Sequence, residues 1–96
     1  MEQQNHMQVV FDAKSENEGL ARMLVTAFMS EMNPTLEQIA DVKTAVSEAV
    51  TNAIIHGYEN EMESVRLSCD RDGQQLVVTV EDKGVGIADV EQAMQP

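Results

Sequence analysis

Glu48, Asn52 and His56 recur at four-residue intervals in the stretch Ser47-Glu-Ala-Val-Thr-Asn-Ala-Ile-Ile-His56. On a helix, residues four apart share a face, with Cβ atoms about 6 Å apart. A carboxylate and a carboxamide on adjacent turns can hold a hard cation such as Mg²⁺, directly or through water. The carboxylate can also accept a proton from a hydroxyl or a water. Taken alone, the pair reads first as two solvent-facing helix residues. His56 has no Cys or His at zinc-site spacing. It is expected to hydrogen-bond near the helix end.

Asp82-Lys-Gly84-Val-Gly86 is the second element with chemical content. An Asp at a strand end can accept a hydrogen bond from an exocyclic amine such as that of adenine. Glycines let a base or ribose approach the backbone with no Cβ in the way. The same string, taken alone, is also an ordinary turn.

The surrounding pattern says what must position these residues. Met7 to Asp12 is short, apolar and β-branched, and reads as an edge strand. Ser15 to Glu18 has the form of a capping box, with a helix to follow. Leu20, Met23, Leu24, Ala27, Phe28 and Met32 recur at helical spacing and predict its apolar stripe. Asn33-Pro34 ends that helix, because the residue before proline avoids the helical region.

Thr35 to Gln38 is a second capping box. Alternatively, Asn33 caps and Pro34 takes the first helical position. Leu36, Ile39, Val42, Val46, Ala49, Val50, Ala53 and Ile54 then sustain an apolar face, and Gly57 is the expected stop. The Glu48-Asn52 face lies beside this stripe.

Glu59 to Ser64 reads as a polar loop. Val65, Leu67 and Cys69 alternate with polar residues, as do Leu76, Val78 and Val80, around turn chemistry at Arg71 to Gln74. They predict a hairpin. Asp82 to Gly86 closes it with a glycine-rich turn, and Asp89 to Met94 suggests a short helical start. The order strand, helix, helix, strand, strand predicts an α+β two-layer sandwich, with helices on one face of a mostly antiparallel sheet.

The 96 residues bound the chain to one small domain. Apolar residues make up 43%, which argues for a globular fold. Aromatics are few, so methionines and aliphatic residues must fill the core. The net charge of −11 repels phosphate backbones, which excludes direct nucleic-acid binding as a first reading. It suits a basic protein partner, or solubility alone. The single cysteine, Cys69, cannot form an intramolecular disulfide. Met1 to His6 lacks the apolar run of a signal peptide. No stretch approaches the roughly 20 apolar residues that cross a bilayer. The expectation is a cytoplasmic protein.

Glu-x-x-x-Asn on a long helix, then a hairpin, then Asp-x-Gly-x-Gly is a more specific signal than either part. The combination resembles the N box and first glycine box of the GHKL superfamily, which includes gyrase and the histidine kinases. The string SEAVTNAIIHGYEN (Ser47 to Asn60), with KTAV before it and EDKGVGIADVEQAMQP after the hairpin, resembles the anti-sigma F factor family. So does FDAKSENEGLARMLVTAFMSEMNPTLEQIADVK near the start. The likeness covers essentially the whole chain.

The resemblance implies a protein-serine/threonine kinase of sporulation that uses Mg-ATP. It implies that Glu48 is the general base toward a substrate serine, and that Asn52 ligates Mg²⁺ between the nucleotide phosphates. Asp82 would read the adenine amino group, and Gly84 and Gly86 would shape the purine pocket for ATP or ADP. The implied partners are sigma F and a small anti-anti-sigma protein, which compete for overlapping surface, and the family forms homodimers. Partners in this family dock near the first helix. Arg22 there reads either as a solvated arginine or as such a contact, since its planar fork suits carboxylates.

The resemblance also implies that residues 1–96 are a single partial domain. The family continues with an ATP lid and a second glycine-rich box, which supply backbone amides to the phosphates and close the site. The expectation for residues 1–96 alone is weak nucleotide binding or none, inefficient phosphotransfer, and exposed apolar surface where a further strand would pair. Two other classes compete. A non-catalytic GHKL-shaped binding module has no need of the Glu48-Asn52 pair. A two-component histidine kinase needs a separate phosphoacceptor helix that this length does not hold.

Overall fold

The computed structural model describes residues 4–59, 64–82 and 87–93. The elements run β1 (Gln4–Asp12), α1 (Asn17–Met29), a 3-10 turn (Ser30–Met32), α2 (Leu36–Glu59), β2 (Ser64–Asp72), β3 (Gln75–Asp82) and β4 (Ile87–Ala93). The strands form one antiparallel sheet in the order β1-β2-β3-β4. Both helices pack together, and α2 lies against β2, β3 and β4. This is the expected α+β two-layer sandwich.

The strand periodicity explains the layer. Val65, Leu67 and Cys69 of β2 and Leu76, Val78 and Val80 of β3 are buried. Cross-strand pairing places Cys69 opposite Val78 and Leu67 opposite Val80, so both rows share one face. On β1, Phe11 is buried, and Met7 and Val9 are half-buried against the same core. The opposite face carries polar cross-strand pairs. His6 Nδ1 lies 2.6 Å from Asp70 Oδ1, and Arg66 Nε lies 3.0 Å from Glu81 Oε1.

The hairpin between β2 and β3 pairs Asp72 with Gln75 across two loop residues. Gly73 has φ 63° at the first of them, where a type II′ turn favours glycine. Gln74 Nε2 reaches back to the Met32 carbonyl at 3.4 Å.

Thr35 and Gln38 form the expected capping box at the start of α2, and the Ile39 amide donates to the Thr35 carbonyl at 3.0 Å. Thr35 is therefore the cap, and Asn33 instead takes a left-handed conformation (φ 53°, ψ 53°) that turns the chain between the helices. The buried face of α2 is Val42, Val46, Val50, Ala53 and Ile54. Leu36, expected on that face, is 86% exposed at the first turn.

Several expectations are corrected. No capping box forms at Ser15. Glu16 before the helix is already helical (φ −66°, ψ −17°), with no side-chain cap. Successive turns use the Lys14 and Ser15 carbonyls for the Asn17 and Glu18 amides, so the Ser15 hydroxyl has no open donor to receive. The stripe of α1 is rotated from the expected one. Ala21, Val25 and Met29, with Met32 just beyond, are buried, whereas Leu20 and Met23 are exposed. The helix is apolar around much of its girth, and the small Ala21 and Val25 allow the closest approach.

Gly57 does not stop α2, which runs on to Glu59. An interior glycine costs only about 1 kcal/mol, which neighbouring packed turns can offset. Ile87–Ala93 is a strand, not a helical start. Pairing along β3 engages one side of its backbone and overrides local propensity. β4 covers the outer edge of β3. Among the described residues the sheet edges are β1 and β4.

Candidate functional site

Glu48 and Asn52 sit one turn apart on α2 and are both exposed, whereas Val46, Val50 and Ala53 between and around them are buried. The amphipathic pattern fixes this orientation: burying the Val row turns the carboxylate and the carboxamide outward. His56 continues the helix, but its side chain lies outside the described residues, as does that of Asp82. Gly84 and Gly86 lie wholly outside them.

The backbone does fix which end of the sheet Asp82 occupies. It closes β3 opposite Val65, at the start of β2. The end of α2, Glu59, precedes that start by a short connection. Asn52 lies seven residues before Glu59, about 10 Å along the helix. The topology thus brings the Asn52 half of α2 and the Asp82 end of β3 to one end of the molecule, with α2 packed over β3.

A groove of about 570 Å³ runs between the helices. Its walls include Arg22 from α1 and Leu36, Ile39, Lys43, Ser47 and Glu48 from α2. The partner-contact candidate Arg22 and the base candidate Glu48 therefore line one groove. Arg22 Nη1 is 3.4 Å from Glu18 Oε2. The same Glu18 oxygen accepts a 2.6 Å hydrogen bond from Ser47 Oγ. Sequence reasoning assigned Glu18 to a cap and missed this contact, which spans 29 residues of chain. Lys43 was missed as well; its place one turn before Ser47 was the available signal.

Among the described residues, no group of three or more His, Cys, Asp or Glu could hold a metal ion. Glu48 and Asn52 offer hard oxygen donors, which suits magnesium bound partly by protein and partly by phosphate oxygens. The donor set fits a cation that arrives with a nucleotide, not one held by a protein cage. Cys69 is fully buried on the helix side of the sheet. Burial, then the charge of Asp70, pushes its thiol up to about 12, so it is no nucleophile at neutral pH.

Residues 11–96 match the model of the histidine kinase-like ATPase domain. The chain belongs to that family. The family is one of nucleotide-binding, kinase-like domains, in keeping with the α+β layers described above.

Curated relatives agree. The chain is 52% identical over 92 residues to an anti-sigma F factor of Clostridium kluyveri, covering 96% of this chain and 65% of that protein. It is 51% identical over 96 residues to an anti-sigma F factor of Thermoanaerobacter sp. (strain X514), covering 100% and 67% respectively. An anti-sigma F factor of Clostridium acetobutylicum is 54% identical over 93 residues, 97% of this chain and 65% of that protein. The chain thus spans about two-thirds of the length of the relatives it matches. No helix among the described residues is long and apolar enough to cross a membrane.

Proposed function

We propose that the protein is a cytoplasmic anti-sigma factor that holds sigma F and phosphorylates a serine of an anti-anti-sigma protein with Mg-ATP. The observation that carries this reading is the exposed Glu48-Asn52 pair, one turn apart on a helix whose Val42-Val46-Val50 face is buried. A scaffold that only binds needs no acid and amide aligned on one outward face.

In this reading Glu48 takes the proton from the substrate serine hydroxyl. Asn52 holds magnesium against the nucleotide phosphates, and Asp82 accepts from the adenine amino group. Gly84 and Gly86 border the purine. Magnesium, when bound, neutralises charge on the transferring phosphoryl group. Arg22, on the groove shared with Glu48, contacts the partner proteins. The names of the relatives support the sigma-factor partner. The exposed Leu20 and Met23 of α1 support a protein-contact surface there, including a homodimer.

Calorimetric titration of ADP and ATP with Mg²⁺ into residues 1–96 and into the full-length protein tests nucleotide binding. Phosphotransfer by full-length Glu48→Gln tests the base: loss of turnover with nucleotide affinity kept is expected. Normal turnover would remove Glu48 from that role. A sigma complex that forms equally well without nucleotide, from a protein that never phosphorylates, would replace the kinase by a binding module.

A further inference from the structure

We infer that Glu18 is a positioning residue for Glu48, acting through Ser47; this rests on the reading of Glu48 as the base. The core-facing side of α2 is a smooth aliphatic row, Val42, Val46 and Val50. Such a row fixes which face of the helix is buried, and a directional contact sharpens its rotation further. A hydrogen bond is directional. Ser47 Oγ donates to Glu18 Oε2 at 2.6 Å, in a half-buried setting between the helices. Short bonds to a carboxylate are the stronger kind. Ser47 immediately precedes Glu48, so the bond fixes the turn that carries the base.

The geometry makes this consequential. Side-chain ends on a helix lie roughly 6 Å from its axis, so a rotation of about 10° moves them about 1 Å. Proton transfer requires hydrogen-bond reach, and a displacement of about 1 Å at a reacting group can lower a rate by about 100-fold. The same carboxylate also faces Arg22 at 3.4 Å. Glu18 therefore stands between the arginine of the groove and the turn bearing Glu48.

The test is phosphotransfer by the full-length protein at saturating ATP and protein substrate. Ser47→Ala is expected to lower kcat about tenfold or more, with KM for ATP and ADP affinity within about twofold of wild type. Ser47→Thr, which keeps the hydroxyl, restores most of the rate. Glu18→Gln combined with Ser47→Ala is no slower than the worse single variant, as expected for two ends of one bond. Wild-type kcat in Ser47→Ala overturns the inference, as does a loss that threonine does not rescue. Glu48→Gln separates the two readings. If it is inactive while Ser47→Ala runs at full speed, positioning alone fails. If Glu48→Gln is fully active, the base assignment fails and takes this inference with it.

Discussion

Thr35 and Gln38 cap the long helix reciprocally. The Thr35 amide donates to Gln38 Oε1 at 2.9 Å, and the Gln38 amide donates to Thr35 Oγ1 at 3.1 Å. This holds the first turn of the helix that presents Glu48 and Asn52. Thr35→Ala should cost about 1 kcal/mol, or roughly 4–8 °C in melting temperature for a domain of this size. Ser15→Ala, at the box that does not form, should leave the melting temperature nearly unchanged. Thermal denaturation of the two variants side by side decides the point; equal losses would contradict the capping assignment.

Leu67 lies fully buried opposite Val80, under the helices. Leu67→Ala should destabilise by about 2–5 kcal/mol, from lost burial plus the cavity left behind. For a small domain of thin overall stability, urea unfolding should shift to a much lower midpoint. A shift within experimental error would mean that the site collapses freely, against the packed arrangement described here.

Cys69 should be silent toward thiol reagents in the folded protein and react once the chain unfolds. Its folded-state thiol ionises near 12, against 9.0 ordinarily. Above pH 9 the unfolded chain releases this proton while the folded one keeps it, so fewer protons are bound in the unfolded state. Stability therefore falls as pH rises from about 9 toward 12. Cys69→Ala should flatten that part of the stability-pH profile measured by denaturant unfolding. An unchanged slope would assign the alkaline loss to other groups.

Asp82→Asn should weaken ADP binding by roughly ten- to a hundred-fold in the full-length protein, the range for losing a hydrogen bond to a charged acceptor. The folded sheet should survive, since Asp82 is the last residue of β3. Calorimetry with ADP and with GDP gives the readout. Unaltered ADP affinity would take the adenine contact away from Asp82.

The hairpin was legible because burial on one face imposes a period of two, and Val65, Leu67, Cys69, Leu76, Val78 and Val80 keep it without a fault. The buried side of α2 was legible for the matching reason at helical spacing. In α1 the pattern misled: Leu20 and Met23 are as apolar as Ala21 and Val25, and only the neighbouring elements decide which stripe is covered. In β4, Ala88, Glu91 and Gln92 favour a helix locally, and pairing with β3 overrides them. The outward placement of Glu48 and Asn52 followed from their offset to the Val row. The Glu18-Ser47 contact was hidden, since nothing in a linear pattern says that residues on two helices will meet.

The contact between Gln74 and the Met32 carbonyl ties the hairpin tip to the elbow between the helices. Asp82 lies a full strand away from that tip, about 25 Å. At the opposite extremity Asn17 Nδ2, at the start of α1, donates to the Asp12 carbonyl at 2.9 Å, so a second tie joins the layers there. Each end of the sheet is thus pinned to a helical segment, so sliding one layer over the other would break a bond at both ends at once.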